Sequence, residues 1–187
     1  MPVAERMTAE EFIALPVPEH GRPWNLVGGE VVVNEPTPLH AHLQRNLLFA
    51  LESWLRAGDG RGAVTLPLDV RLDEHNVLAP DILWYSEGRA PGPRDQPPSP
   101  LPDLAVEIRS PSTWRYDVGA KKAAYERHGL PELWLLDTAA EAVLVFRRSR
   151  PGASSFDVAL ELGVADVLTS PQLDAFTMAV GDLFPPH

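Results

Sequence analysis

The chain contains no cysteine. That absence removes disulfides, thiol nucleophiles and cysteine-bound zinc together, so any metal has to be held by oxygen or imidazole. Long apolar runs are missing too. No stretch is long enough to cross a bilayer, and the opening MPVAERMTAEEF lacks the apolar centre of a signal peptide, which predicts a cytoplasmic protein with no membrane partner. Positive charge is scarce: 16 Lys and Arg stand against 26 Asp and Glu, for a net charge of −10. This argues against a general nucleic-acid coating protein with a continuous basic face, while leaving local contacts open. Lysine is the scarcest cation. Lys121 and Lys122 are the only two, and every other fixed cation is arginine. Either the pair survives from a codon bias, or an ammonium here does what a planar guanidinium cannot, acting as a compact donor of adjustable pKa.

What is present describes an ordinary globule, with 187 residues, 44% hydrophobic and 22% charged. Length and composition predict one domain over residues 1–187 with a substantial core. Thr8-Ala9-Glu10-Glu11 is a capping-box pattern opening a short helix that turns Phe12 and Leu15 inward and stops at Pro16 and Pro18. Residues 24–33 read as two strands around Gly28-Gly29, with Glu30 opening the second. Thr37-Pro38 predicts a helix to about Arg56 with Leu43, Leu47, Leu51 and Trp54 on its buried stripe and His40 near that stripe. Residues 63–72 read as one strand. Pro80-Asp81 then leads into the buried strand Ile82–Tyr85. The proline-rich APGPRDQPPSPLP that follows predicts a flap or linker around a site. Leu133–Leu136 and Val143–Phe146 form a predicted hairpin, followed by short strands and a C-terminal helical turn.

The chain is organised around residues 103–137. Leu104, Ala105, Val106 and Ile108 fit a strand buried on both faces, and Glu107 sits inside it. Alternation sends Glu107 and Arg109 to the face opposite Val106 and Ile108. A carboxylate in that position requires a cation, a metal or a proton. Residues 116–128 read as a helix closed by Gly129 and Pro131. At roughly 100° per residue, Trp114, Val118, Lys121 and Tyr125 share a stripe, and Lys122 is turned to the flank beside Glu126. Two acids, Asp81 at a strand mouth and Glu107 on a buried strand, can hold a hard cation such as magnesium, with manganese as the alternative. A lysine facing them can orient water or offset charge on a phosphorane. The plain structural reading is an internal salt bridge. Arg109, Arg115 and Lys122 are candidates for phosphate contact, as are Arg147, Arg148 and Arg150.

These residues resemble the PD-(D/E)XK nuclease superfamily, and within it the Uma-type branch of restriction endonucleases. The likeness runs over most of the chain and is carried by MTAEEFIALP, GGEVVV, the helix at His40, Pro80-Asp81 and above all PDLAVEIRSPSTWRYDVGAKKAAYERHGLPELWLLD. It implies an α/β (α+β) restriction-endonuclease-like fold, a central mixed β-sheet flanked by helices, in a single domain. It also implies that Asp81 and Glu107 are metal ligands and that the lysine usual two residues after the glutamate has moved to Lys121, because position 109 is arginine. Glu30 and His40 become accessory residues. The function implied is a magnesium-dependent DNA endonuclease, for which a homodimer suits the cutting of two strands. The competing readings are a non-catalytic DNA- or protein-binding module on the same fold and a metal phosphodiesterase acting on small nucleotides.

Overall fold

The computed structural model describes residues 6–16 and 24–186. Thr8 forms its capping box: its hydroxyl accepts from Glu11 N–H at 3.2 Å and Glu11 Oε2 accepts from Thr8 N–H at 2.8 Å. This opens helix α1, Ala9–Ile13, whose Ala9 and Phe12 are buried. Pro16 follows the helix, and Pro18 lies outside the described residues. Strands β1 (Trp24–Val27) and β2 (Glu30–Val33) pair antiparallel around Gly28 and Gly29, both at positive φ, where a missing Cβ removes the strain. Helix α2, Pro38–Arg56, begins as its sequence predicts, with Thr37 capping His40 N–H at 3.2 Å and Pro38 in the first turn.

The segment expected as one strand divides into β3 (Ala63–Thr65) and β4 (Val70–Asp73), which join different sheets. Pro67 stands in the gap, and with no N–H to offer it cannot carry one ladder through. Then come β5 (Asn76–Leu78), β6 (Ile82–Tyr85) and β7 (Leu104–Ile108). After helix α3, over residues 114–127, the chain forms β8 (Glu132–Asp137), β9 (Ala142–Arg147), β10 (Val158–Gly163) and the short pair β11 (Val167–Leu168) and β12 (Met178–Ala179). A 3₁₀ turn over Val180–Leu183 ends the fold. The predicted β8–β9 hairpin is present in full register from Glu132↔Arg147 to Asp137↔Ala142.

The six-stranded sheet runs β10-β9-β8-β7-β6-β3 and is mixed: β7 and β8 are parallel, and every other pair is antiparallel. A second sheet, β2-β1-β5-β4, is antiparallel. Parallel neighbours need a crossover, and helix α3 supplies it. Val106 and Ile108 pack on Leu43, Leu47 and Leu51 of α2, whereas Ala105 packs with Tyr125 of α3 and with Leu133 and Leu135. Strand β7 is therefore covered on both faces, as its apolar run requires.

The proline-rich segment does not flank Asp81 and Glu107. Because β6 and β7 are antiparallel, the chain leaves β6 at the end opposite Asp81. The loop is tied there by Arg89 and Ser86 to Asp103 and by Tyr85 O–H to the Pro100 carbonyl. Four strand residues, about 13 Å, separate it from the two acids.

Gly62, at φ +80°, leads into β3 with the Tyr85 carbonyl oxygen only 1.9 Å from where a Cβ would stand. Gly62→Ala is expected to lower stability by about 2–3 kcal/mol through strain and collision. A denaturant midpoint equal to that of the wild type would show that this turn relaxes freely.

Candidate active site

Strand register brings the two acids together. The β6–β7 ladder begins at Ile82↔Val106, and Asp81, just before it, is held on Val106 and Ile108, the neighbours of Glu107, so that its charge acts on the Glu107 carboxyl. Asp81 is anchored rather than loose. Its N–H donates to the Val106 carbonyl at 2.9 Å, and its Oδ2 accepts from Ile108 N–H at 2.7 Å. Gln44 of α2 donates to the Asp81 carbonyl at 2.8 Å.

Helix α3 brings the cation. It is α-helical over Trp114–Tyr116, a π turn over Asp117–Lys121, and α-helical again over Lys122–Arg127. Its C-terminus is fixed by Gly129 at φ +82°, with Leu130 N–H donating to the Tyr125 carbonyl and Gly129 N–H to the Glu126 carbonyl. That is the double bond pattern of a glycine-terminated helix. The inward face carries Asp117, Lys121, Ala124 and Tyr125, while Val118 is 42% exposed. Val118 thus corrects the expected stripe, and Asp117 takes the inward place.

Lys121 Nζ donates to Glu107 Oε2 at 3.1 Å and lies 2.8 Å from Asp117 Oδ1, with all three side chains essentially without solvent. Tyr125 O–H donates to the other Glu107 oxygen at 2.8 Å. Burial pushes the Glu107 carboxyl up to about 8; the Lys121 charge opposes that rise, and the negative charges of Asp117 and Asp81 add to it. Burial raises Asp117 as well. Burial alone would lower Lys121, but Glu107 and Asp117 outweigh it and hold the ammonium above its usual value. Three carboxylates around one ammonium carry an excess of negative charge in a low-dielectric site, which a proton or a metal cation can neutralise.

His40 reaches the cluster from α2. Its Nε2 lies 3.1 Å from Asp81 Oδ1 but is not aligned for a hydrogen bond, so both ring nitrogens are buried without a hydrogen-bond partner. His40 borders a cavity of about 240 Å³ lined also by Asn34, Pro36, Gln44, Leu66, Pro67 and Asp81. Glu30 is not brought to this cluster. It is exposed at the hairpin end of β2, while Asn34, just past the other end, is the residue that meets the site.

The three candidate phosphate contacts are partly engaged with their own neighbours. Arg109 donates to Asp137 at 2.7 Å and lies 5.1 Å from the Trp114 ring centroid. Arg115 lies 4.8 Å from the Tyr116 ring, and the Lys122 ammonium 4.6 Å from that of Phe146. Glu126, expected beside Lys122, accepts instead from Phe156 N–H at 2.7 Å. In the second arginine cluster, Arg148 is consumed by the carbonyls of Leu130, Glu126 and Ala153.

Sequence reasoning missed Asn34, Ser110, Thr113 and Asp117, which join the site by hydrogen bonds. The spacing of Asp117 four residues before Lys121 was the available signal. Oxygen donors and one imidazole suit a hard cation. Among the described residues, no three Asp, Glu or His side chains close into a ready-made metal cage. Asp81 and Glu107 are the carboxylates that could hold a cation, with water and phosphate oxygens to complete its shell.

No curated protein matches the chain. A crystal structure from Anabaena variabilis, described as a "putative nuclease belonging to DUF820", superposes with a TM-score of 0.77 at 20% identity. It covers 95% of this chain and 97% of that one. At that identity the likeness is one of fold, and it agrees with the central mixed sheet and flanking helices expected from the nuclease resemblance. The pattern matched over residues 9–180 is that of Uma2, described as "Putative restriction endonuclease", and the chain belongs to that family.

Proposed function

We propose that this protein is a metal-dependent DNA endonuclease in which Asp81 and Glu107 bind Mg²⁺, or Mn²⁺ in its place, and Lys121 acts on the scissile phosphate. The observation that carries this reading is the buried excess of negative charge at Asp81, Glu107 and Asp117 around the single ammonium of Lys121. When bound, the cation supplies Lewis-acid polarisation of the phosphodiester and a lowered pKa for water. Asp81, at the mouth of β6, and Glu107, on β7, would fix its place. Tyr125 holds Glu107 in orientation by its hydrogen bond. The ammonium donates to Glu107 and is ion-paired with Asp117, and a donor turned toward the metal site would meet a phosphate oxygen or the attacking water. His40 would be an accessory residue, its buried ring set beside Asp81 at the cavity lining. Glu30, exposed and distant, contributes at most from outside this cluster. Arg109, Arg115 and Lys122 would contact the DNA backbone, and a homodimer would cut both strands.

One observation favours a second substrate, a small nucleotide: the cavity beside Asp81 and His40 is only about 240 Å³ and, among the described residues, has no lysine or arginine in its lining to track a polyphosphate backbone. A plasmid assay across metals tests the first reading. Nicking or linearisation with magnesium or manganese is expected, lost with chelator and in Asp81→Ala. Cleavage that persists in Asp81→Ala points to a contaminating nuclease. Hydrolysis confined to a bis-aryl or cyclic phosphodiester would move the assignment to the small-nucleotide class.

A further inference from the structure

Asp117 lies at the end of a buried polar chain that the proposed chemistry does not use. Its Oδ2 accepts from Thr113 Oγ1 at 3.1 Å, the Thr113 and Ser110 hydroxyls are 2.7 Å apart, and the Ser110 hydroxyl is 2.9 Å from the Asn34 side-chain amide, which, turned to donate, lets each hydroxyl pass its one proton on toward Asp117. Each of these four residues is at least nine-tenths buried. The chain joins three separate elements: the exit of β2, the turn after β7 and the π turn of α3. Its other end is the contact between Asp117 Oδ1 and the Lys121 ammonium at 2.8 Å, shorter than the 3.1 Å from that ammonium to Glu107.

A lysine on a four-carbon stem has many rotamers, and one facing a lone glutamate would collapse onto it as a closed salt bridge. The second acid sets a different geometry. It divides the ammonium between a strand-borne and a helix-borne carboxylate, so that Glu107 alone does not fix its direction. The π turn has a role in this. It places Asp117 and Lys121 at its two ends, both inward, where the ion pair spans the widened turn.

We infer that Asp117 is a positioning residue, held by Thr113, Ser110 and Asn34, that aims the Lys121 ammonium at the substrate beside Asp81 and Glu107. This rests on the nuclease reading for its consequence, but the aiming itself is a property of the folded chain. It can be read without catalysis because the protein has only two lysines.

The test uses the full chain labelled with ¹⁵N-lysine, observing the two side-chain ammonium groups by NMR, with Lys122→Arg to assign them. The Lys121 signal is expected to be slow in exchange with water and shifted from that of Lys122. Asp117→Asn is expected to shift it and speed its exchange at least tenfold. Thr113→Val, which keeps the charge and removes only the hydroxyl, should move it in the same direction by less. Manganese binding by calorimetry should stay within twofold in Thr113→Val and persist in Asp117→Asn, weakened by the lost charge but far less than in Asp81→Ala, while the single-turnover cleavage rate of Asp117→Asn at saturating manganese falls at least tenfold with little change in DNA affinity. An unchanged Lys121 signal in Asp117→Asn overturns the inference, as does manganese binding lost as completely as in Asp81→Ala, which would make Asp117 a ligand. If the wild type cleaves no DNA while the Lys121 signal responds as described, the nuclease reading fails and the positioning of Lys121 stands.

Discussion

Lys121→Ala is expected to abolish turnover, while Lys122→Ala keeps most of it. The two residues are adjacent in sequence, but Lys121 is 1% exposed between two carboxylates and Lys122 lies over the Phe146 ring at the flank. Loss of a preorganised donor aimed at developing charge costs about 10²–10³ in rate. Lys121→Arg should recover little of that, because a planar fork cannot occupy the place of a compact ammonium between Glu107 and Asp117. Lys122→Ala removes an interaction of about 0.5–1 kcal/mol with an aromatic face, and any loss of DNA affinity should depend on salt. Lys121→Met separates catalysis from stability. It strands buried carboxylates, at a cost of up to about 3–5 kcal/mol, and that cost should shrink in acid as Glu107 and Asp117 take up protons. Single-turnover rates and melting temperatures on one set of variants decide the matter. If Lys121→Met loses activity only in proportion to its unfolded fraction, the ion cluster is structural. If Lys122→Ala is inactive and Lys121→Ala active, the site is misassigned.

The strand-borne half of the site was legible in the sequence and the helix-borne half only in part. An acid within LAVEI fixes its own face by alternation, and the structure puts Glu107 where that rule sends it, toward α3. Asp81 needed only Pro80 and the apolar run after it. Helical phase was less secure because it was taken from apolar residues, which admitted Val118 and left Asp117 off the stripe. A buried ammonium needs a carboxylate more than the face needs another methyl group, and the π turn alters the phase besides. The link of Asn34 to Ser110 and Thr113 had no sequence signal, since Asn34 lies 76 and 79 positions from them, across β2 and the β7 exit. The proline-rich loop was misplaced for a different reason: its position depends on strand direction, and composition carries no direction. Glu30 was drawn in through the family likeness rather than through any geometric constraint, and at the far end of β2 no neighbour in the cluster restrains it.

In metal-free buffer, stability is expected to fall as pH rises from about 5 to 8, and divalent metal is expected to reverse the loss. The Glu107 carboxyl is raised from 4.5 to about 8, chiefly by burial, and Asp117 is raised as well. A folded pKa above the unfolded one means that the folded state binds more protons between the two values, so the contribution is complete below about 4.5 and is lost as pH passes through about 8. Glu107→Gln should flatten this slope: its amide can accept from Lys121 and donate to the Tyr125 oxygen without carrying a charge. Part of the slope should remain, because Asp117 still titrates. Metal binding requires ionised ligands, so its stabilising effect should grow with pH and release protons. At a hundredfold excess over Kd the gain is about 2.7 kcal/mol, or roughly 5–10 °C in Tm for a chain of this size. Melting curves at pH 5, 6.5 and 8, with chelator and with magnesium, manganese or calcium, check both halves. A flat pH response in the metal-free wild type would mean that Glu107 is not desolvated as its burial requires. Equal metal responses in the wild type and in the Asp81→Ala, Glu107→Ala double variant would remove the shared cation site, and with it the basis for metal-dependent cleavage.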